Sequence, residues 1–199
     1  MKESYFSAKR LTGIAVLLAF VIVFQMLGGV LKIGTTSLSL VLVPIVLGGM
    51  LFGVRAGAIL GFSFGLITLI YGIAGWDPFT LVLLTEHPII TSLLCLGKGT
   101  AAGACSAAVF KLLKGKNEWV ATIVSSAVAP VVNTGLFVLG ALLMSDTLSA
   151  HFVADGMTVF YFLTIICAGV NFLVELAINL VASPVIYRVV GVVKRTEKR

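Results

Sequence analysis

Apolar runs about as long as a bilayer is thick recur along the whole chain, separated by short polar segments. A helix rises 1.5 Å per residue, so about twenty apolar residues cross the ~30 Å hydrocarbon core. Backbone groups at that depth find no water to bond, which leaves helices and closed barrels as the spanning structures. Six spans are read at residues 11–31, 38–52, 56–74, 89–113, 119–144 and 159–187. The expectation is an all-α membrane protein with six transmembrane helices, one domain over residues 1–199, and both termini cytoplasmic. Composition agrees: 59% of residues are hydrophobic and 11% charged, against roughly 25% charged in soluble domains. The first run has the look of a signal peptide. No small-residue cleavage site follows it and further spans do, so it reads as a helix that stays.

The formal charge of +6 is distributed by topology. The spans place Lys2, Lys9, Arg10, Arg55, Lys111, Lys114, Lys116, Arg188, Lys194, Arg195, Lys198 and Arg199 on the cytoplasmic side. The outer side receives Lys32 against Asp77, Glu86, Asp146 and Asp155. This is the positive-inside pattern, and it makes a nucleic-acid partner unnecessary. Cys95, Cys105 and Cys167 are odd in number, lie in apolar segments without CxxC spacing, and read as small core residues.

Two charges interrupt the spans, Lys98 and Glu175. A charge at bilayer depth costs at least ~2.5–3.5 kcal/mol, so it faces a cavity or a partner. Asn171, Glu175 and Asn179 follow at i, i+4 and i+8, on one helical face that has to line a cavity or bond neighbouring helices. Counted inward from the outer ends, Lys98, Asn133 and Asn171 lie about 15, 16 and 18 Å deep, and Glu175 about 24 Å. Three polar groups on three helices therefore share a level. A fixed Lys98–Glu175 pair has to span an axial offset of about 9 Å. Lys98 has two readings, contact with an anionic ligand or a structural ion pair; the first is preferred. Glu175 reads as the floor of the pocket or as a helper that holds Lys98 when the site is empty. Pro130 and Gly135 flank Asn133 and predict a kink. Gln25 on the first helix faces the same interior, and outer loops at 75–88 and 145–158 bring Trp76, Asp77, His87 and Asp155 to the mouth.

Glycines recur every four residues at Gly49, Gly53, Gly57, Gly61 and Gly65, and Gly99, Gly103 and Ala107 repeat the device. Such ridges let two backbones approach closely. P-loop, HExxH and GxSxG motifs do not occur, so hydrolytic machinery is not visible and no enzyme is expected. His87 and His151 stand alone, which suggests no metal site, and no cofactor is implied.

Three segments resemble a known family: LVPIVLGGMLFG at 42–53, AGAILGFSFG at 56–65 and KGTAAG at 98–103. They are similar to the S components, the membrane-embedded substrate-binding subunits of energy-coupling factor (ECF) vitamin transporters. The resemblance covers nearly the whole chain. It implies a multi-pass protein of the bacterial cell membrane that binds a water-soluble vitamin in an outward-facing pocket closed by the loop between the first two helices. It also implies a transmembrane coupling subunit and two ABC ATPase subunits as partners, with toppling in the bilayer to release cargo inward. Ala15 and Ala19 match the alanine pair through which family members dock on the coupling subunit. PVVNTGLF at 130–137 looks similar to the pantothenate-type branch, and pantothenate carries a carboxylate for Lys98. Riboflavin comes next, because Trp76, Tyr71, Phe64 and Tyr161 offer stacking surfaces. The substrate residues expected are Lys98, Asn133, Asn171, Glu175, Trp76, Gln25 and Tyr71. Two rival readings are a proton-coupled carrier that uses Glu175 and a structural membrane protein that assembles through its glycine ridges.

Overall fold

The computed structural model describes residues 8–30, 32–33, 36–37 and 40–197. Lys2, Lys198, Arg199, the side chain of Lys32 and the expected span limits at 31 and 38 lie outside the described residues. Helices α1 (Ala8–Val30), α2 (Leu42–Phe52), α3 (Val54–Ile73), α4 (Pro78–Glu86), α5 (Pro88–Leu113), α6 (Glu118–Leu142) and α7 (Ser145–His151) follow in order. The chain ends in a helical rod built from α8 (Val159–Tyr161), a π-helical segment (Phe162–Cys167) and α9 (Gly169–Glu197). Between α1 and α2, β1 (Lys32–Ile33) pairs antiparallel with β2 (Thr36–Ser37).

Among the described residues, five helical segments are long and apolar enough to cross a membrane. They are Ala8–Gly28, Val54–Ile73, Pro88–Leu113, Glu118–Leu142 and Val159–Thr196. The second expected span is a different object. Helix α2 has eleven residues, about 16 Å at the helical rise and half the hydrocarbon thickness. It packs against α1, α3, α5, α6 and α9, with Leu42, Ile45, Val46 and Met50 buried. A helix apolar on every face belongs in a core. Pro44 sits in its first turn, where a missing N–H removes no helical bond.

Other expectations change at the ends of the bundle. Residues 75–88 hold α4, not an open loop, and residues 145–158 begin with α7. Both α4 and α5 start on prolines, whose fixed φ suits a first helical position. Helix α6 is assigned without interruption through Pro130. The last helix runs to Glu197, about three turns beyond the expected end at 187. Cys95 and Cys167 are buried, but Cys105 is exposed, so it is not a core residue.

Helices α3 and α5 share the most extensive interface, and glycine makes it. Gly57 faces Gly103, Gly61 faces Gly99, and Gly65 faces the backbone of Cys95 and Leu96. A Cβ at Gly65 would lie 2.8 Å from the Leu96 Cα. The two ridges therefore meet inside the molecule and are not free for a partner helix. Gly53, at φ +87°, makes the sharp join between α2 and α3.

Charge is segregated to opposite ends. Arg10, Arg55, Lys111 and Lys114 surround one cavity, and Lys194 pairs with Glu118 and lies over Phe110, which lines that same cavity. Asp77 precedes α4, Glu86 ends it, and Asp146 lies in α7, at the other end of the bundle.

Candidate functional site

Lys98 projects from the middle of α5, next to the Gly99–Gly61 contact, so the glycine seam fixes its height in the bundle. Its Nζ lies 5.0 Å from the centroid of the Phe137 ring on α6. A cation over an aromatic face is held by the ring quadrupole. The expected alternative, a Lys98–Glu175 salt bridge, does not form: the one ion pair among the described residues joins Lys194 and Glu118. Glu175 still lies within Coulomb range of Lys98. Its carboxyl is 1% exposed and accepts a hydrogen bond from Asn171 Nδ2 at 3.2 Å. Asn133 faces the same carboxyl from α6. Lys98, Asn133 and Asn171, expected at one level, thus gather around Glu175, which was expected a turn deeper.

The polar stripe on α9 also continues as its spacing requires. Asn179 Nδ2 donates to the Glu175 backbone carbonyl at 2.8 Å, and Ser183 is buried one turn further on. Glu175 Oε2 and Asn133 Oδ1 are buried without a hydrogen-bond partner among the described residues. Buried polar atoms are rarely left so, and two together beside a lysine mark a place built for polar contact. The π-helical segment just before Asn171 packs an extra residue into its turn. A count at the α-helical rise therefore overstates the depths of Asn171 and Glu175 by about one residue's rise.

An aromatic layer adjoins the polar group, and sequence reasoning did not assemble it. Phe137 touches Phe79 at 6.0 Å between centroids, Phe79 touches Phe152 at 4.9 Å, and Phe152 stacks on Phe162 at 6.4 Å. These rings join α6, α4, the end of α7 and the π segment, around a core of Leu83, Met144, Leu148 and Leu163. The available signal was local, since Phe137 follows Asn133 by four residues and shares its face. Phe79 and Phe152 lie in segments read as loops, and Phe162 in the first turn of the sixth span.

At the mouth, Tyr71 and Trp76 meet edge to face at 5.2 Å. Trp76 is 69% exposed, and its backbone N–H and that of Asp77 both donate to the Tyr71 carbonyl. Asp77 Oδ2 accepts from Thr80 Oγ1 at 2.5 Å. Asp77 and Lys98 both lie within electrostatic range of Cys95 and Cys167, which sets the α3–α4 turn near the Lys98 group. Other expected residues lie apart. Gln25 donates to Thr68 Oγ1 at 3.5 Å and ties α1 to α3. Phe64 belongs to the core between α1, α2 and α3, and Tyr161 is 49% exposed. Ala15 and Ala19 lie on an exposed face of α1 with Val16, Phe20 and Val23.

Among curated proteins, none matches this chain. The family model for the substrate-specific component of ECF transporters matches residues 9–187, a span that reaches into all five membrane-length helices and holds the Lys98 group. On that match the chain belongs to the substrate-specific components of ECF transporters.

Proposed function

We propose that this protein captures a water-soluble vitamin outside a bacterial cell, pantothenate before riboflavin, and delivers it inward while docked on its coupling module. Family membership makes it a membrane-embedded substrate-binding subunit, not an enzyme, that works with a coupling subunit and ATPases. The observation that carries the vitamin reading is Lys98: a cation inside the bundle, beside a ring and two asparagines, with no carboxylate in salt-bridge contact among the described residues. A carboxylate-bearing ligand supplies the missing charge. The amides of Asn133 and Asn171 suit the hydroxyl and amide groups of pantothenate, and Tyr71 and Trp76 stand where a cap would close. Glu175 forms the floor through its bond from Asn171.

The same reading has the chain cross the plasma membrane six times, with α2 in the second pass and both termini inside. The segregation of Arg10, Arg55, Lys111 and Lys114 to one end supports that orientation. The exposed small-residue face of α1 at Ala15 and Ala19 is the proposed contact with the coupling subunit, against which the protein topples.

The test is a thermal-shift panel of vitamins on the purified chain, repeated with Lys98→Ala. A ligand at a hundred-fold excess over Kd stabilises by about 2.7 kcal/mol. Stabilisation by pantothenate that disappears in Lys98→Ala, with the melting of the empty protein unchanged, is the expected result. A flat response to every vitamin defeats the vitamin reading, and binding that survives Lys98→Ala makes Lys98 structural.

A further inference from the structure

We propose that the groove between the start of α6 and the end of α9 is a second binding site, which takes the phosphate headgroup of an anionic phospholipid. The groove holds about 440 Å³ and is walled by Glu118 from α6 and by Tyr187, Arg188, Gly191, Lys194 and Arg195 from α9. That volume falls in the usual small-ligand range of about 300–1,000 Å³. Its charges do not cancel. Lys194 pairs with Glu118, the carboxylate of the groove among the described residues. Arg188 and Arg195 are exposed and enter no ion pair among the described residues, which leaves two cations uncompensated. Gly191 lies three residues after Arg188 and four before Arg195, so the three share a face and the glycine is the gap between two guanidinium groups. A Cβ at Gly191 would meet nothing within 4 Å, so that gap is open. Each arginine stands about 5–6 Å from it along the axis, within side-chain reach. Guanidinium forks bind phosphate through paired N–H donors, and two of them can close on one phosphate over the glycine.

The surroundings of the groove argue for a lipid rather than a dissolved anion. Trp119 and Tyr187 meet edge to face at 5.2 Å beside it, and both rings are partly exposed. Aromatic side chains so placed mark the level of the membrane interface. The face of α9 that carries Arg195, Gly191 and Arg188 continues toward the middle of the helix through Pro184, Leu180, Ala177 and Leu173, at steps of three or four residues. All four of these are exposed, Leu173 by 63%, so the stripe is not covered by the bundle. A phosphate in the gap therefore leaves its acyl chains on an apolar stripe of the same helical face. Basic pockets between transmembrane helices recognise lipid headgroups by this combination of charge and depth. Arg188 is thirteen residues from Glu175 along α9, about 20 Å, so the groove stands apart from the vitamin site.

Native mass spectrometry of the full chain, titrated with phosphatidylglycerol or phosphatidylcholine of matched acyl chains, tests it. One cation near an anionic headgroup strengthens binding about five-fold, so two arginines should favour phosphatidylglycerol over phosphatidylcholine by about ten-fold or more. Arg188→Gln and Arg195→Gln should each weaken phosphatidylglycerol retention about five-fold and leave phosphatidylcholine retention where it was. Gly191→Leu fills the gap without changing any charge, and the open space above Gly191 lets it fold; it should lose most of the preference as well. Melting of each variant in phosphatidylcholine checks its fold. The pair Lys111→Gln and Lys114→Gln makes the same change of charge at the neighbouring cavity and should leave the preference intact. Equal retention of the two lipids overturns the proposal, as does a preference that survives Gly191→Leu, or an equal loss in the Lys111/Lys114 variant. Displacement of the lipid by excess inorganic phosphate makes the ligand a free anion and overturns the lipid assignment.

Discussion

Substituting Gly61→Ala should damage stability and the ligand site together, by an amount that follows from the α3–α5 contact. A Cβ at Gly61 would lie 2.6 Å from the Gly99 carbonyl carbon and 3.0 Å from the Thr100 nitrogen. Carbon atoms settle at about 3.5–4.0 Å, so the helices have to part by at least about 0.9 Å, and by more to clear the Gly99 carbonyl oxygen, which lies nearer still. The obstructing atoms are backbone and cannot rotate away. Overpacking of this kind costs typically 1–3 kcal/mol. In a chain of about 200 residues each kcal/mol moves the melting point by about 2–4 °C, so a fall of ~2–12 °C is expected. Lys98 is bonded to Gly99, and the same displacement shifts its ammonium relative to the Phe137 ring, which should weaken vitamin binding in parallel. Gly97→Ala and Gly135→Ala are the controls, because a Cβ at either position meets nothing within 4 Å. Replacing a mid-helix glycine by alanine there should be neutral or add up to ~1 kcal/mol. The assay is tryptophan-fluorescence melting of the three variants in one detergent. A Gly61→Ala melt indistinguishable from the controls would refute the close-approach reasoning.

Ala15→Trp and Ala19→Trp, on the exposed face of α1, should leave vitamin binding intact and block uptake in vesicles that contain the coupling subunits; undiminished uptake removes the docking assignment. Glu175→Ala should lower stability by about 1–3 kcal/mol, because Asn171 loses its acceptor in a buried setting. Glu175→Gln keeps an acceptor and should melt closer to the parent, and the reverse order would count against the Asn171–Glu175 bond. Asn117→Ala removes a side-chain cap that accepts from the Trp119 and Val120 amides at the start of α6. A loss of about 0.5–2 kcal/mol in a chemical melt is expected. By contrast Lys194→Met, which breaks a half-exposed ion pair with Glu118, should change stability by less than about 1 kcal/mol. A larger loss would show that the pair does more than its exposure allows.

What could be read in the chain beforehand follows from how far each signal reaches. Helices α3, α5 and α6 were legible because each is a single apolar run set off by turn residues. The shared level of Lys98, Asn133 and Asn171 could be read because a helix converts spacing into face and depth, whereas Glu175 was set a turn too deep to join them. The shortness of α2 was not, since its apolar run merges with the residues before it and only packing decides where the helix begins. Helix α4 was hidden by length: nine residues between Asp77 and His87 are too few to show a period, although Pro78 and Pro88 mark both helix starts. The π segment leaves no composition signal, because one extra residue in a turn is a response to packing. The layer of Phe79, Phe137, Phe152 and Phe162 depends on that packing too, and the proposed docking face of α1 depends on a partner surface no single chain encodes.

The shortness of α2 has an electrical consequence. Val41 and Leu42 share a core cluster with Phe64, and Phe64 abuts Gly99, so α2 begins at the level of Lys98 and runs toward the basic end. A helix carries about half a unit of positive charge at its N-terminus. Val41 offers no side-chain cap there, so that half charge is not offset by an oxygen of its own residue. A full-length span would set its positive end down at the membrane surface, where water and salt screen it. Ending halfway, α2 deposits it in a low-dielectric interior on the plane of the Lys98 ammonium. The field that the proposed anionic ligand would meet is therefore shared between a side chain and a truncated backbone dipole.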